Sequence, residues 1–100
     1  MTSTLDIPTG PRQELLALLC QFIPGVAVWA YGSRVKGTAR ANSDLDLVVF
    51  TSPAQRPLVS ELRDALAESN IPFMVDLHVW DEIPEHFRRK IEQDHAVLDA

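Results

Sequence analysis

Gly32-Ser33, ten intervening residues and then Asp44-Leu45-Asp46 are the positions in this chain whose types and spacing suit chemistry. Acids at i and i+2 of an extended strand leave from one face, close enough to hold divalent cations between them. A glycine lets backbone N–H groups approach a phosphate without a Cβ in the way, and Ser33 adds a hydroxyl donor. Magnesium takes oxygen ligands from one or two carboxylates, phosphates and water. Paired ions about 3.5–4 Å apart clamp the attacking and leaving oxygens of an in-line displacement. The pattern therefore points to a metal-dependent site for a nucleoside triphosphate, with Asp44 and Asp46 as metal ligands and Gly32 and Ser33 on the phosphates. Transfer to an incoming hydroxyl calls for a third carboxylate that helps remove its proton. Asp76, the lone acid of the apolar run Phe73 to Trp80, is the candidate.

Taken singly, each of these residues has an ordinary explanation as a turn, a strand start or a solvent-facing acid. Together they do not. Arg34, Lys36 and Arg40 lie inside the motif, where a triphosphate would be, and Arg34 and Lys36 join the nucleotide-binding set. A second basic cluster, Arg88-Arg89-Lys90, lies near the end of the chain. His78 shares the face of Asp76 and is read as a strand histidine rather than a ligand.

The elements that must position these residues can be read from periodicity. Pro11 to Ile23 carries an apolar stripe of Leu15, Leu16, Leu18, Leu19, Phe22 and Ile23 at helical spacing, with Thr9 as its cap and Pro24-Gly25 as its stop. Val26 to Tyr31 is β-branched and aromatic and runs into Gly32, so it is expected to be a buried strand. A short helix or turn is expected over Arg34 to Ala39, a turn at Asn42-Ser43 and a strand from Asp44 to Phe50. In that strand Leu45, Leu47 and Val49 form one face, and Asp44, Asp46 and Val48 the other. Pro57 to Ser69 is a second helix, with Leu58, Val59, Leu62, Ala65 and Leu66 inward. Phe73 to Trp80 is a third strand, and Pro84 to Leu98 is expected to be one final helix with Ile83, Phe87, Ile91 and His95 or Leu98 in a row. The order helix, strand, strand, helix, strand, helix is that of a single α/β (α+β) domain spanning residues 1–100.

Composition narrows the setting. The apolar share, 46%, is that of a globular protein, and no apolar run approaches the ~20 residues that cross a bilayer. The first ten residues lack the basic start and apolar stretch of a secretion signal, so the expected location is the cytoplasm, with no membrane partner. Cys20 is the only cysteine, which excludes an internal disulfide, and its place in Leu-Leu-Cys-Gln-Phe suggests a small buried apolar residue. A net charge of −5 argues against direct binding of nucleic acid.

Tyr31-Gly32-Ser33 through Ser43-Asp44-Leu45-Asp46-Leu47 resembles the signature of the DNA polymerase β-like nucleotidyltransferase superfamily. The brevity of the chain and the run Gly-Ser-Arg-Val-Lys-Gly-Thr-Ala-Arg-Ala-Asn-Ser-Asp-Leu-Asp resemble its minimal members, the MntA-like antitoxins paired with HEPN-domain toxin ribonucleases. The resemblance implies a small mixed sheet flanked by helices, phosphate binding by Gly32 and Ser33, and metal binding by Asp44, Asp46 and Asp76. It further implies ATP as substrate, magnesium as cofactor with two ions and manganese as an alternative, and AMP transfer to a tyrosine of the partner toxin, which forms a hetero-oligomer with the antitoxin. Two other readings fit the same residues. One is a non-catalytic antitoxin that covers the toxin with Phe87, Ile91 and neighbouring apolar residues. The other is a small-molecule nucleotidyltransferase similar to the aminoglycoside-modifying enzymes, its substrate pocket completed at a dimer interface.

Overall fold

The computed structural model describes residues 5–37, 40 and 43–98, with Lys36 described by its backbone alone. The chain runs α1 (Thr9–Phe22), β1 (Val28–Tyr31), α2 (Ser33–Lys36), β2 (Leu45–Val49), a 3-10 turn (Pro53–Gln55), α3 (Arg56–Glu68), β3 (Val75–Val79), a second 3-10 turn (Trp80–Glu82), α4 (Glu85–Gln93) and β4 (Ala96–Leu98). Four strands form one sheet in the order β3-β2-β1-β4. β1 is antiparallel to both β2 and β4, while β2 and β3 are parallel. A parallel pair needs a crossover, and α3 supplies it.

The mixed sheet flanked by helices is the architecture the resemblance implied. One face carries Val28 and Ala30 of β1, Leu45, Leu47 and Val49 of β2, and Leu77 of β3. They are buried with Leu15, Leu19 and Ile23 from α1 and its end, and with Val59, Leu62 and Leu66 of α3. Strand alternation sends Trp29, Tyr31 and Val48 to the opposite face, where Ile83 and Ile91 cover them in a much smaller core. The acids of the motif emerge on this second, less covered face.

Several expectations are corrected. The tail is not one helix from Pro84 to Leu98. α4 ends at Gln93 because Asp94 turns extended (φ −147°, ψ 94°), and residues 96–98 close the free edge of β1, pairing Ala30 with Ala96 and Val28 with Leu98. His95 and Leu98 thus leave the helical row. His95 stacks on Trp29 with ring centroids 3.9 Å apart, and Leu98 is buried on the main core face. Cys20 is exposed, since one residue beyond the buried Leu19 lies about 100° around the helix. Leu58 is exposed for the same reason beside Val59. Thr9 is the first helical residue and Pro8 precedes it as the cap position. The expected helix end at Ala39 and the turn residue Asn42 lie outside the described residues.

Candidate active site

The site is built by register. The antiparallel pairing of β1 with β2 sets Tyr31 opposite Asp46, and the parallel pairing of β2 with β3 sets Asp46 opposite Asp76. β1 then hands over to Gly32, whose backbone (φ 86°, ψ −155°) occupies a region reserved almost wholly for glycine. A Cβ there would lie 2.6 Å from Asp46 Oδ2. Gly32 is therefore required twice, once for the turn and once because a carboxylate passes over it. Ser33 opens the single turn of α2, which Val35 N–H closes on the Gly32 carbonyl at 3.0 Å.

Asp46, Asp76 and His78 each offer a donor atom within 4.8 Å of the others. Asp46 is half-buried, and Asp76 and His78 are exposed. Burial pushes the Asp46 carboxyl above its ordinary value, the charge of Asp76 adds to this and a more distant Asp44 contributes, while His78 opposes it. Two mutually repelling carboxylates beside an imidazole suit a divalent cation. Tyr31 is pushed up to about 12, first by burial and then by the charges of Asp46 and Asp76. It stands in the wall of the site as a neutral hydrogen-bond donor.

The expected residues are distributed unevenly. Gly32, Asp46 and Asp76 converge. Asp44 lies one residue ahead of the β2 ladder, is exposed, and falls outside the close group, although its charge reaches Asp46. His78, which sequence reasoning set aside, belongs to the group; its i+2 spacing from Asp76 was the available signal. Arg34 is corrected. It is 3% exposed, and its guanidinium donates to the carbonyls of Ser43 at 2.9 Å, Asp6 at 3.0 Å and Arg40 at 3.3 Å while lying 3.9 Å from the Phe73 ring centroid. An arginine fork so engaged ties the chain at Arg40 and Ser43 to Asp6. The Lys36 side chain lies outside the described atoms.

Two cavities flank Asp46. One, of about 300 Å³, is bounded by Tyr31, Gly32, Phe87, Lys90, Ile91 and Asp94 as well as Asp46. The other, of about 320 Å³, shares Tyr31, Asp46 and Phe87 and adds His78, Glu82, Ile83 and Pro84. A half-buried acid between two cavities, one bordering a glycine turn and the other an imidazole, offers room for a phosphate donor and an acceptor on either side of its carboxylate.

Comparison with known proteins agrees with this geometry. The nucleotidyltransferase domain family matches residues 12–99. A Haemophilus influenzae protein described as probable protein adenylyltransferase MntA is 38% identical over 95 residues, covering 94% of this chain and 83% of that protein. A crystal structure of a toxin–antitoxin with AMP-PNP shares the fold with a TM-score of 0.62 at 23% identity, over 89% of this chain and 73% of that one. A toxin–antitoxin MntA–HepT crystal structure does so with a TM-score of 0.57 at 19% identity, over 93% and 73%. With a family match across nearly its whole length and a carboxylate pair fixed by strand register beside a glycine turn, this chain belongs to the nucleotidyltransferase domain family and is a nucleotidyltransferase.

Proposed function

We propose that the protein is an adenylyltransferase antitoxin that moves AMP from ATP onto a tyrosine hydroxyl of a HEPN-domain toxin ribonuclease in the cytoplasm and so neutralises it. The observation that carries this reading is the 38% identity, over almost the whole chain, to a protein described as a probable protein adenylyltransferase. The exposure of Asp76 and His78 supports it, because a hydroxyl carried on a large protein can reach them without entering a deep pocket.

In this reading the backbone at Gly32 and the Ser33 hydroxyl hold the phosphate tail, and Asp46 and Asp76, joined by the outlying Asp44, would hold magnesium, as two ions, with manganese as an alternative. Divalent ions supply charge neutralisation of the phosphates and acidify the incoming hydroxyl. The acceptor oxygen bonds to the α-phosphorus, the bond from that phosphorus to the α–β bridging oxygen breaks, and pyrophosphate leaves with the electron pair. Asp76, on the rim of the site, takes the hydroxyl proton on a carboxylate oxygen. Asp46 stands between the two cavities, and Tyr31 keeps its proton and donates a hydrogen bond.

The test is an intact mass of a HEPN-type toxin co-expressed with the wild-type chain or with Asp46→Asn. AMP-sized mass steps present with wild type and lost with the variant are the expected result. An unmodified toxin held in a stable complex by both would overturn the reading in favour of steric neutralisation, with the exposed Phe87 at the contact.

A further inference from the structure

The basic cluster Arg88-Arg89-Lys90 is unused by the reaction as described, and the structure sends its three members to different places. Arg88 Nε donates to the Trp80 carbonyl at 3.1 Å, and its guanidinium carbon lies 5.4 Å from the Trp80 ring centroid. Arg89 pairs with Glu85 at 3.2 Å on the exposed side of α4. Lys90 lines the cavity beside Gly32 and Asp46.

Helical spacing explains the difference. Phe87, Lys90 and Ile91 follow one another at i, i+3 and i+4, which makes a single face of α4, and Asp94 follows just past the helix end. Ile91, 2% exposed, anchors that face against Val48 and Ile83. A lysine beside the anchor can lay its aliphatic stem along the apolar contact and carry its ammonium into the cavity. The rest of that cavity is anionic through Asp46 and Asp94, and the chain as a whole carries −5. Arg34, the cation nearest the glycine turn in sequence, has donors committed to three backbone carbonyls. Among the described side chains, Lys90 is the cation that lines the cavity beside Gly32, and a compact, mobile ammonium suits phosphate oxygens.

We propose that Lys90 binds the phosphate tail of the nucleoside triphosphate in the cavity beside Gly32, which makes α4 a wall of the nucleotide site. The adjoining cavity at His78 and Glu82 is then left for the acceptor. This assignment rests on the reading of the Gly32 turn as the phosphate-binding element.

Calorimetric titration of the full chain with ATP and magnesium, for wild type, Lys90→Gln, Lys90→Arg and Arg89→Gln, tests it. Lys90→Gln should weaken ATP binding about tenfold, the lower end for a charge-assisted hydrogen bond. Lys90→Arg should restore most of it, and Arg89→Gln, which removes the same charge one position away, should leave it unchanged. The melting temperature should not move, and in transfer assays the KM for ATP should rise while kcat is kept. ATP affinity unchanged in Lys90→Gln would overturn the proposal, as would an equal loss in Arg89→Gln, which would mean a diffuse field rather than a contact. Wild-type protein that binds neither ATP nor any other nucleoside triphosphate would instead overturn the phosphate-turn reading, and the proposal with it.

Discussion

At the scale of single residues, Asp46 concentrates the most conflict. Its carboxyl sits half-buried opposite Asp76 and against the Gly32 turn, and burial followed by the Asp76 charge raises its affinity for a proton. A carboxyl that holds its proton more tightly in the folded state stabilises the fold at low pH, and that contribution is lost as pH rises through the elevated value. Without metal, Asp46→Asn should therefore be more stable than wild type at pH 7, and the gain should vanish once pH falls below the ordinary value of 3.8. Magnesium should raise the melting temperature of wild type, because strand register assembles the proposed metal site only in the folded state, and should do so far less in the variant. Melting curves with magnesium and with chelator, across pH, measure both effects. A variant less stable than wild type at pH 7 in chelator would make the acid structural.

At the scale of elements, Arg34 ties the short α2 turn to the chain before and after it, alongside the turn's own hydrogen bond from Val35 N–H to the Gly32 carbonyl. The guanidinium gathers carbonyls from Asp6, Arg40 and Ser43 into one fork beneath the Phe73 ring. Lysine keeps the charge but cannot reproduce that planar fork. Arg34→Lys should cost on the order of 2–3 kcal/mol, from hydrogen bonds lost at a buried position, and lower the melting temperature by about 10 °C or more. If the variant instead melts like wild type and only its ATP use weakens, Arg34 is a phosphate contact after all. The same scale explains α4. Ile91 is its one fully buried anchor, and the neighbouring Lys90 and Phe87 are turned to the cavities by the helical repeat.

At the scale of the whole molecule, one sheet separates two unequal cores. The large one joins α1 and α3 to the strands, and the small one rests on Val48, Ile83 and Ile91 with aromatic neighbours. Opening free energies follow the apolar area that must be exposed. The amides of α4 should accordingly exchange with solvent through local opening well before those of α1 and α3, which should require global unfolding. Hydrogen-exchange mass spectrometry resolves the two, and equal protection of α4 and α3 would contradict it. Since α4 walls both cavities, such opening would also give product a way out.

Much of this was legible in the chain before any coordinates. The Gly32-Ser33 turn and its spacing to Asp44 and Asp46 are local, and strand alternation put Asp46 and Asp76 on polar faces of separate strands because side-chain direction follows sequence with period two. The apolar stripes of α1 and α3 were readable because each buries one face against a large core. What the tertiary structure alone decided was which strands are neighbours and in what register, and so that Asp46 meets Asp76 and His78 while Asp44 stands apart. It also decided that residues 96–98 leave the helix to close a sheet edge, since the edge of β1 is a property of the assembled sheet rather than of the tail. Charge type was visible in the sequence but its use was not: Arg34 and Lys90 are both cations, and only packing commits one to backbone carbonyls and brings the other to the cavity.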